Sequence, residues 1–159
     1  MASRWETLQV GGSPMRVYIS TPDGSGPHPG MLVGMHIGCV DGHIQTMCDR
    51  LAEAGYEVAS PDLYQRQDDH ILEEAAKLPP PERMPLLATK KNMLRDNEIE
   101  ADLRASLDLL RGSGVGSAPV GITGFCMGGR IAYLGAVSIQ GIAAVAPFYG
   151  GDTMALWAG

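Results

Sequence analysis

The chain has 159 residues, 45% of them hydrophobic and 19% charged, a balance that supports one globular core and excludes an extended disordered chain. Its formal net charge of −6 argues against a nucleic-acid or anionic-membrane surface. No uninterrupted apolar run approaches membrane-spanning length, and "MASRWETLQVGG" lacks the apolar core of a signal peptide. Three scattered cysteines, Cys39, Cys48 and Cys126, suit a reduced, cytoplasmic protein without a disulfide framework. No Cys-x-x-Cys or His-x-x-x-His spacing points to a metal.

In chain order, "TLQVGGSPMRVYIS" reads as two strands with Gly11 to Pro14 as the turn. "TPDGSGPHPG" is a loop, and Met31 to Met35 is a short apolar run of the kind found in buried parallel strands. Asp41 is placed to N-cap a helix with Ile44, Met47, Leu51 and Ala54 on one face, and Gly55 to end it. "YEVAS" is the next strand, followed by the loop "PDLYQRQ". Between Asp68 and Leu94 the prolines Pro79 to Pro81 break any long helix, which predicts a short helix, a turn and an irregular excursion. Ile99, Leu103, Leu107 and Leu110 have helical spacing over Asn97 to Leu110. "VGITGF" then reads as a strand, "MGGRIAYLGAVS" as a helix and "GIAAVAPFYG" as a fully apolar strand. The alternation is that of an α/β domain with a mostly parallel sheet and flanking helices. In such sheets chemistry sits at the carboxyl ends of the strands, where "HIGCVDG", "PDLYQRQ" and "CMGGR" fall.

Gly124-Phe125-Cys126-Met127-Gly128 has the form of a nucleophile elbow with cysteine in place of serine. The elbow is a strained strand-to-helix turn, so the residues two before and two after the nucleophile must be small. It sets Cys126 at a helix N-terminus, where the dipole and free N–H groups favour a thiolate, and it lets the Met127 N–H donate to an oxyanion. The alternative is a buried cysteine in a glycine-rich packing turn.

"GFCMGGR" and "SPDLYQRQ" together resemble the dienelactone hydrolase (carboxymethylenebutenolidase) family of α/β-hydrolases, and the similarity extends over nearly the whole chain. The resemblance implies hydrolysis of small lactones or esters by a Cys–Asp–His triad without a cofactor. It makes Cys126 the nucleophile, and Met127 and Ile37 the oxyanion-hole donors. Two departures stand out. Where characterised members carry a glutamate, this chain has His36, which either pairs with Cys126 or caps the oxyanion loop. The acid and histidine of this fold follow the nucleophile, but the residues after Cys126 contain no histidine and one acid, Asp152. Asp152 comes one strand too early for the family's acid and is left unassigned. Residues 1–159 are therefore expected to form a single, incomplete α/β-hydrolase-like domain, truncated after the strand that follows the elbow.

His28, in a Pro/Gly loop, is expected to face solvent, and neither it nor His43 or His70 is expected to be the base. Cys39 either faces the cleft near Cys126 or fills space, and Cys48 belongs to the core. Arg66, Arg83 and Arg130 are candidates for a substrate carboxylate, with Arg83 suggested by the resemblance. Tyr64 either lines the cleft or packs beneath its loop. Three functions stay open: a cysteine hydrolase of esters or lactones, a hydrolase-derived binding protein or fragment without turnover, and a thiol-based sensor of oxidants or electrophiles. The uncharged segment Gly141 to Gly150 predicts a partner, either a second copy in a homo-oligomer or another chain that covers it.

Overall fold

Two adjacent glycines with positive φ, Gly11 (59°) and Gly12 (82°), close a two-residue hairpin between β1 (Ala2–Val10) and β2 (Ser13–Thr21) in the computed structural model, which describes residues 1–67 and 70–158. The turn is tighter than the expected Gly11 to Pro14, so Ser13 and Pro14 join the second strand. The remaining elements follow as β3 (Gly30–Gly34), α1 (Gly42–Glu53), β4 (Glu57–Pro61), α2 (His70–Ala76), α3 (Pro80–Asn92), α4 (Asp96–Gly112), β5 (Val120–Phe125), α5 (Met127–Ser138) and β6 (Ile142–Phe148).

The six strands form one sheet in the order β1-β2-β4-β3-β5-β6. β1, β2 and β4 pair antiparallel, whereas β4, β3, β5 and β6 run parallel. The central strands β3, β4 and β5 are buried along almost their full length, as their apolar runs require. α5 lies on β3, β5 and β6 and touches α4, while α1 packs on β2, β3 and β4. The core is continuous, with Leu32, Val58, Ile99, Leu103, Ile122 and Ile131 each no more than 1% exposed.

The excursion differs from expectation. No helix runs through the prolines at 79–81, and the expected short helix and turn are α2 and residues 77–79, but the irregular part is a helix: Pro79 is the N-cap of α3 and the next two prolines lie in its first turn. A missing N–H costs nothing there, and the fixed φ is already helical. Asp68 and Asp69, where the excursion was expected to begin, lie outside the described residues, as does Gly159. His28 is half-buried rather than solvent-facing, and its backbone N–H donates to the Gly114 carbonyl at 3.0 Å. β6 forms the outer edge of the sheet and, unlike the other parallel strands, is almost wholly exposed. Among the described residues no helix is long and apolar enough to cross a membrane.

Candidate active site

The carboxyl ends of β3, β4 and β5 bring three loops together, and a buried tyrosine joins them. The Tyr64 hydroxyl, from the loop after β4, donates to the Ile37 carbonyl after β3 at 3.0 Å. The same oxygen lies 3.7 Å from the sulfur of Met127, two residues beyond β5. Tyr64 is 1% exposed, so it packs beneath the cleft instead of lining it. Burial pushes its phenol well above the usual range, reinforced by the nearby Cys39 and Asp62, so the hydroxyl keeps its proton and acts as a donor.

Cys126 is the N-cap of α5, with φ 55° and ψ −122°. This is a left-handed conformation that non-glycine residues hold only where the surroundings impose it. The imposing contacts are backbone to backbone. Cys126 N–H donates to the Phe148 carbonyl at 3.1 Å. A Cβ added at Gly124 would fall 2.3 Å from the Gly128 oxygen, and one at Gly128 would fall 2.3 Å from the Gly34 oxygen. Strand β5, the first turn of α5 and the end of β3 thus meet at van der Waals distance, which only glycines permit. The Cys126 side chain is left exposed.

A cavity of about 190 Å³ opens at Cys126 and is lined also by Ile37, Met127, Lys91, Asp152 and Trp157. Met127 is the first residue of α5, so its N–H has no acceptor within the helix. Among the described residues, Ile37 N–H likewise meets no protein acceptor. Lys91 and Asp152 pair at 3.1 Å across this cavity. Sequence reasoning missed Lys91 and Trp157. Lys91 sits in the last turn of α3, where a lysine is ordinary helix-end chemistry, and Trp157 lies in an irregular tail with no periodic signal.

His36, Cys39 and Arg83 line a second cavity of about 340 Å³, together with Asp41. His36 is not among the residues that line the cavity at Cys126, and its two nitrogens meet groups of its own loop. Nδ1 accepts from Gly38 N–H at 3.1 Å, and Nε2 stands 2.9 Å from Asp41 Oδ1. Asp41 is the N-cap of α1, as expected, accepting from the N–H groups of His43 and Ile44. Burial opposes its ionisation, but the His36 contact and the two N–H groups outweigh this and hold its carboxyl below the usual range. Cys39 has φ 77° in the tight turn closed by its N–H on the His36 carbonyl at 3.1 Å. Arg83 donates through Nε to the Leu78 carbonyl.

The other arginines are engaged elsewhere. Arg66 forms a bidentate pair with the buried Asp102, both contacts at 2.9 Å, which ties the Tyr64 loop to α4. Arg130 is buried against Asp96 at the start of α4, stacks over the Trp157 ring at 4.2 Å and donates to the Ala155 carbonyl at 2.7 Å. Together with Trp157 N–H on Asp96 at 3.2 Å, these contacts clamp the tail to α4 and α5. Cys48 is fully buried, and desolvation, with the adjacent Asp49 charge, pushes its thiol up to about 12. Among the described residues, no group of three His, Cys, Asp or Glu side chains could hold a metal.

The profile of the dienelactone hydrolase family matches residues 15–156. The chain belongs to the dienelactone hydrolase family. A candidate carboxymethylenebutenolidase from Methylorubrum extorquens is 36% identical over 152 residues, which cover 87% of this chain and 47% of that protein. Its counterpart in Aquifex aeolicus is 31% identical over 148 residues, 90% of this chain and 59% of that one. The crystal structure of a candidate dienelactone hydrolase from Klebsiella pneumoniae superposes with a TM-score of 0.80 at 31% identity, covering 94% of this chain and 60% of that chain. A cold-adapted esterase from an Arctic intertidal metagenomic library shares the fold at 19% identity, with a TM-score of 0.65. The chain spans about half the length of the curated dienelactone hydrolase relatives it matches.

Proposed function

We propose that this chain is the nucleophile-bearing part of a hydrolase of small carboxylic esters or lactones, and that Cys126 is the nucleophile. The observation that carries the reading is the exposed Cys126 at a strained strand–helix junction, sharing one cavity with Ile37 and Met127. The Cys126 thiolate attacks the carbonyl carbon, and the carbonyl π electrons move to oxygen. The N–H groups of Ile37 and Met127 receive that oxyanion. Collapse reforms the carbonyl and breaks the bond to the alkoxide oxygen, which takes up a proton. The products are an alcohol and a thioester on Cys126; from a lactone, both remain in one acyl chain.

Water must then cleave the thioester, which requires a general base. In this fold the acid and histidine that serve this step follow the nucleophile in chain order. We assign them to polypeptide outside this sequence, either a C-terminal half or another chain. The open edge of β6 supports that reading, with Val145 44%, Phe148 46% and Tyr149 76% exposed and no charged residue between Gly141 and Gly151. A second chain or second copy seated there would cover Gly141 to Gly150.

The test is the time course of p-nitrophenol release from p-nitrophenyl acetate. The present chain should give a stoichiometric burst with slow or no turnover, abolished in Cys126→Ser. A burst that survives this substitution would defeat the reading. Faster reaction with peroxide than with the ester would instead support a thiol sensor.

A further inference from the structure

The peptide between Ile37 and Gly38 is held at both ends by side chains. Its carbonyl accepts from Tyr64 Oη at 3.0 Å, and its N–H donates to His36 Nδ1 at 3.1 Å. Both holders are themselves fixed. Tyr64 is buried, and its own N–H donates to Asp62 Oδ1 at 3.1 Å. Because His36 Nδ1 is an acceptor, the imidazole proton belongs on Nε2, which faces Asp41 Oδ1 at 2.9 Å. Asp41 is anchored in turn as the cap of α1. The ring lies close against Gly38, where a Cβ would fall 2.7 Å from His36 Cε1. A chain of contacts therefore runs from the N-terminus of α1 through Asp41 and His36 to the peptide, and on through Tyr64 to Met127.

We infer that His36 and Tyr64 are a pair of positioning residues that lock the Ile37–Gly38 peptide and so keep the Ile37 N–H aimed beside Cys126. The inference rests on the reading of Cys126 as an acylated nucleophile and adds the means by which its oxyanion hole is held. It also separates His36 from the role of base. Nδ1 is taken up by the Gly38 N–H, Nε2 stands 2.9 Å from Asp41 Oδ1 without an aligned hydrogen bond, and the ring lines the cavity of Cys39 and Arg83 instead of the one at Cys126.

Two reactions of Cys126 test the assignment, because only one of them builds an oxyanion. Acylation by p-nitrophenyl acetate passes through a tetrahedral oxyanion. Alkylation by iodoacetamide is a displacement at saturated carbon and does not. Tyr64→Phe and His36→Ala should each slow acylation by about tenfold or more while alkylation stays unchanged. His36→Asn should restore most of the loss, since its Oδ1 stands where Nδ1 stood and accepts from Gly38 N–H. Alkylation falling in step with acylation in His36→Ala would make His36 a partner of the thiolate and overturn the inference. Unchanged acylation in both variants would overturn it as well. A second readout needs no reaction. Nitrogen NMR should find His36 as the Nε2–H tautomer, with slow exchange of the Gly38 amide that quickens in Tyr64→Phe. A proton on Nδ1 would refute the clamp. If the wild type forms no acyl adduct while these signals are present, the nucleophile reading fails and the clamp stands.

Discussion

Gly124→Ala probes the elbow without touching the nucleophile. A Cβ at this position would sit 2.3 Å from the Gly128 carbonyl oxygen and 2.4 Å from its carbon, whereas ordinary contact begins at 3.4 Å. The first turn of α5 would have to retreat from β5 by about 1 Å, and because the obstacle is backbone, no rotamer change relieves it. Overpacking of this kind costs about 1–3 kcal/mol. For a chain of this size that lowers Tm by roughly 2–12 °C. The same displacement carries Cys126 and the Met127 N–H away from Ile37, and a misplacement of about 1 Å can cost about 100-fold in rate. Calorimetry and the p-nitrophenyl acetate burst, measured on the same sample, read both effects. Gly42→Ala is the control, since a Cβ there meets nothing within 4 Å. A Gly124→Ala protein with wild-type Tm and wild-type acylation rate would refute the close-packed elbow.

Arg130→Met leaves Asp96 buried without its partner, and the pair is only 3% and 9% exposed. The loss should be about 3–5 kcal/mol in urea denaturation, and a loss under about 1 kcal/mol would show the clamp on the tail to be idle. Asp41 tests the pH dependence. A carboxyl held below its unfolded value stabilises the fold fully above that value and loses the contribution as pH falls through the folded one. Asp41→Asn should therefore lower Tm at neutral pH, with the gap to wild type closing as pH drops below 3.8; a gap that stays constant into acid would contradict the His36–Asp41 contact. Light scattering of the purified chain should find association through β6, and replacing Val145 with lysine should abolish it. A monomer at high concentration would refute that use of the edge.

Much of the sheet was readable because its signals are local. Asp41 capping α1, Gly55 ending it at φ 99°, and the Ile99-Leu103-Leu107-Leu110 stripe of α4 each follow from one short stretch. The prolines at 79–81 do exclude one long helix, but the helix they start was not legible, because the same residue that breaks a helix interior suits its first turn and only the surroundings tell the two apart. In the site, the glycines around Cys126 announced a tight turn, but Gly34 as the third backbone in that contact was not visible. That contact depends on β3 and β5 being neighbours. The direction of His36 was equally hidden. It is set by the turn through Gly38 and Cys39, whose geometry appears only once the loop is closed on Tyr64.

The most direct test of the central claim is the site of acylation. The chain is treated briefly with p-nitrophenyl acetate at neutral pH, digested and read by peptide mass spectrometry. One acetyl group per chain is expected, on Cys126, with Cys48 unmodified and Cys39 reacting no faster than a free thiol. Acetyl groups spread over lysines and the N-terminus, with Cys126 no faster than free cysteine, would contradict it.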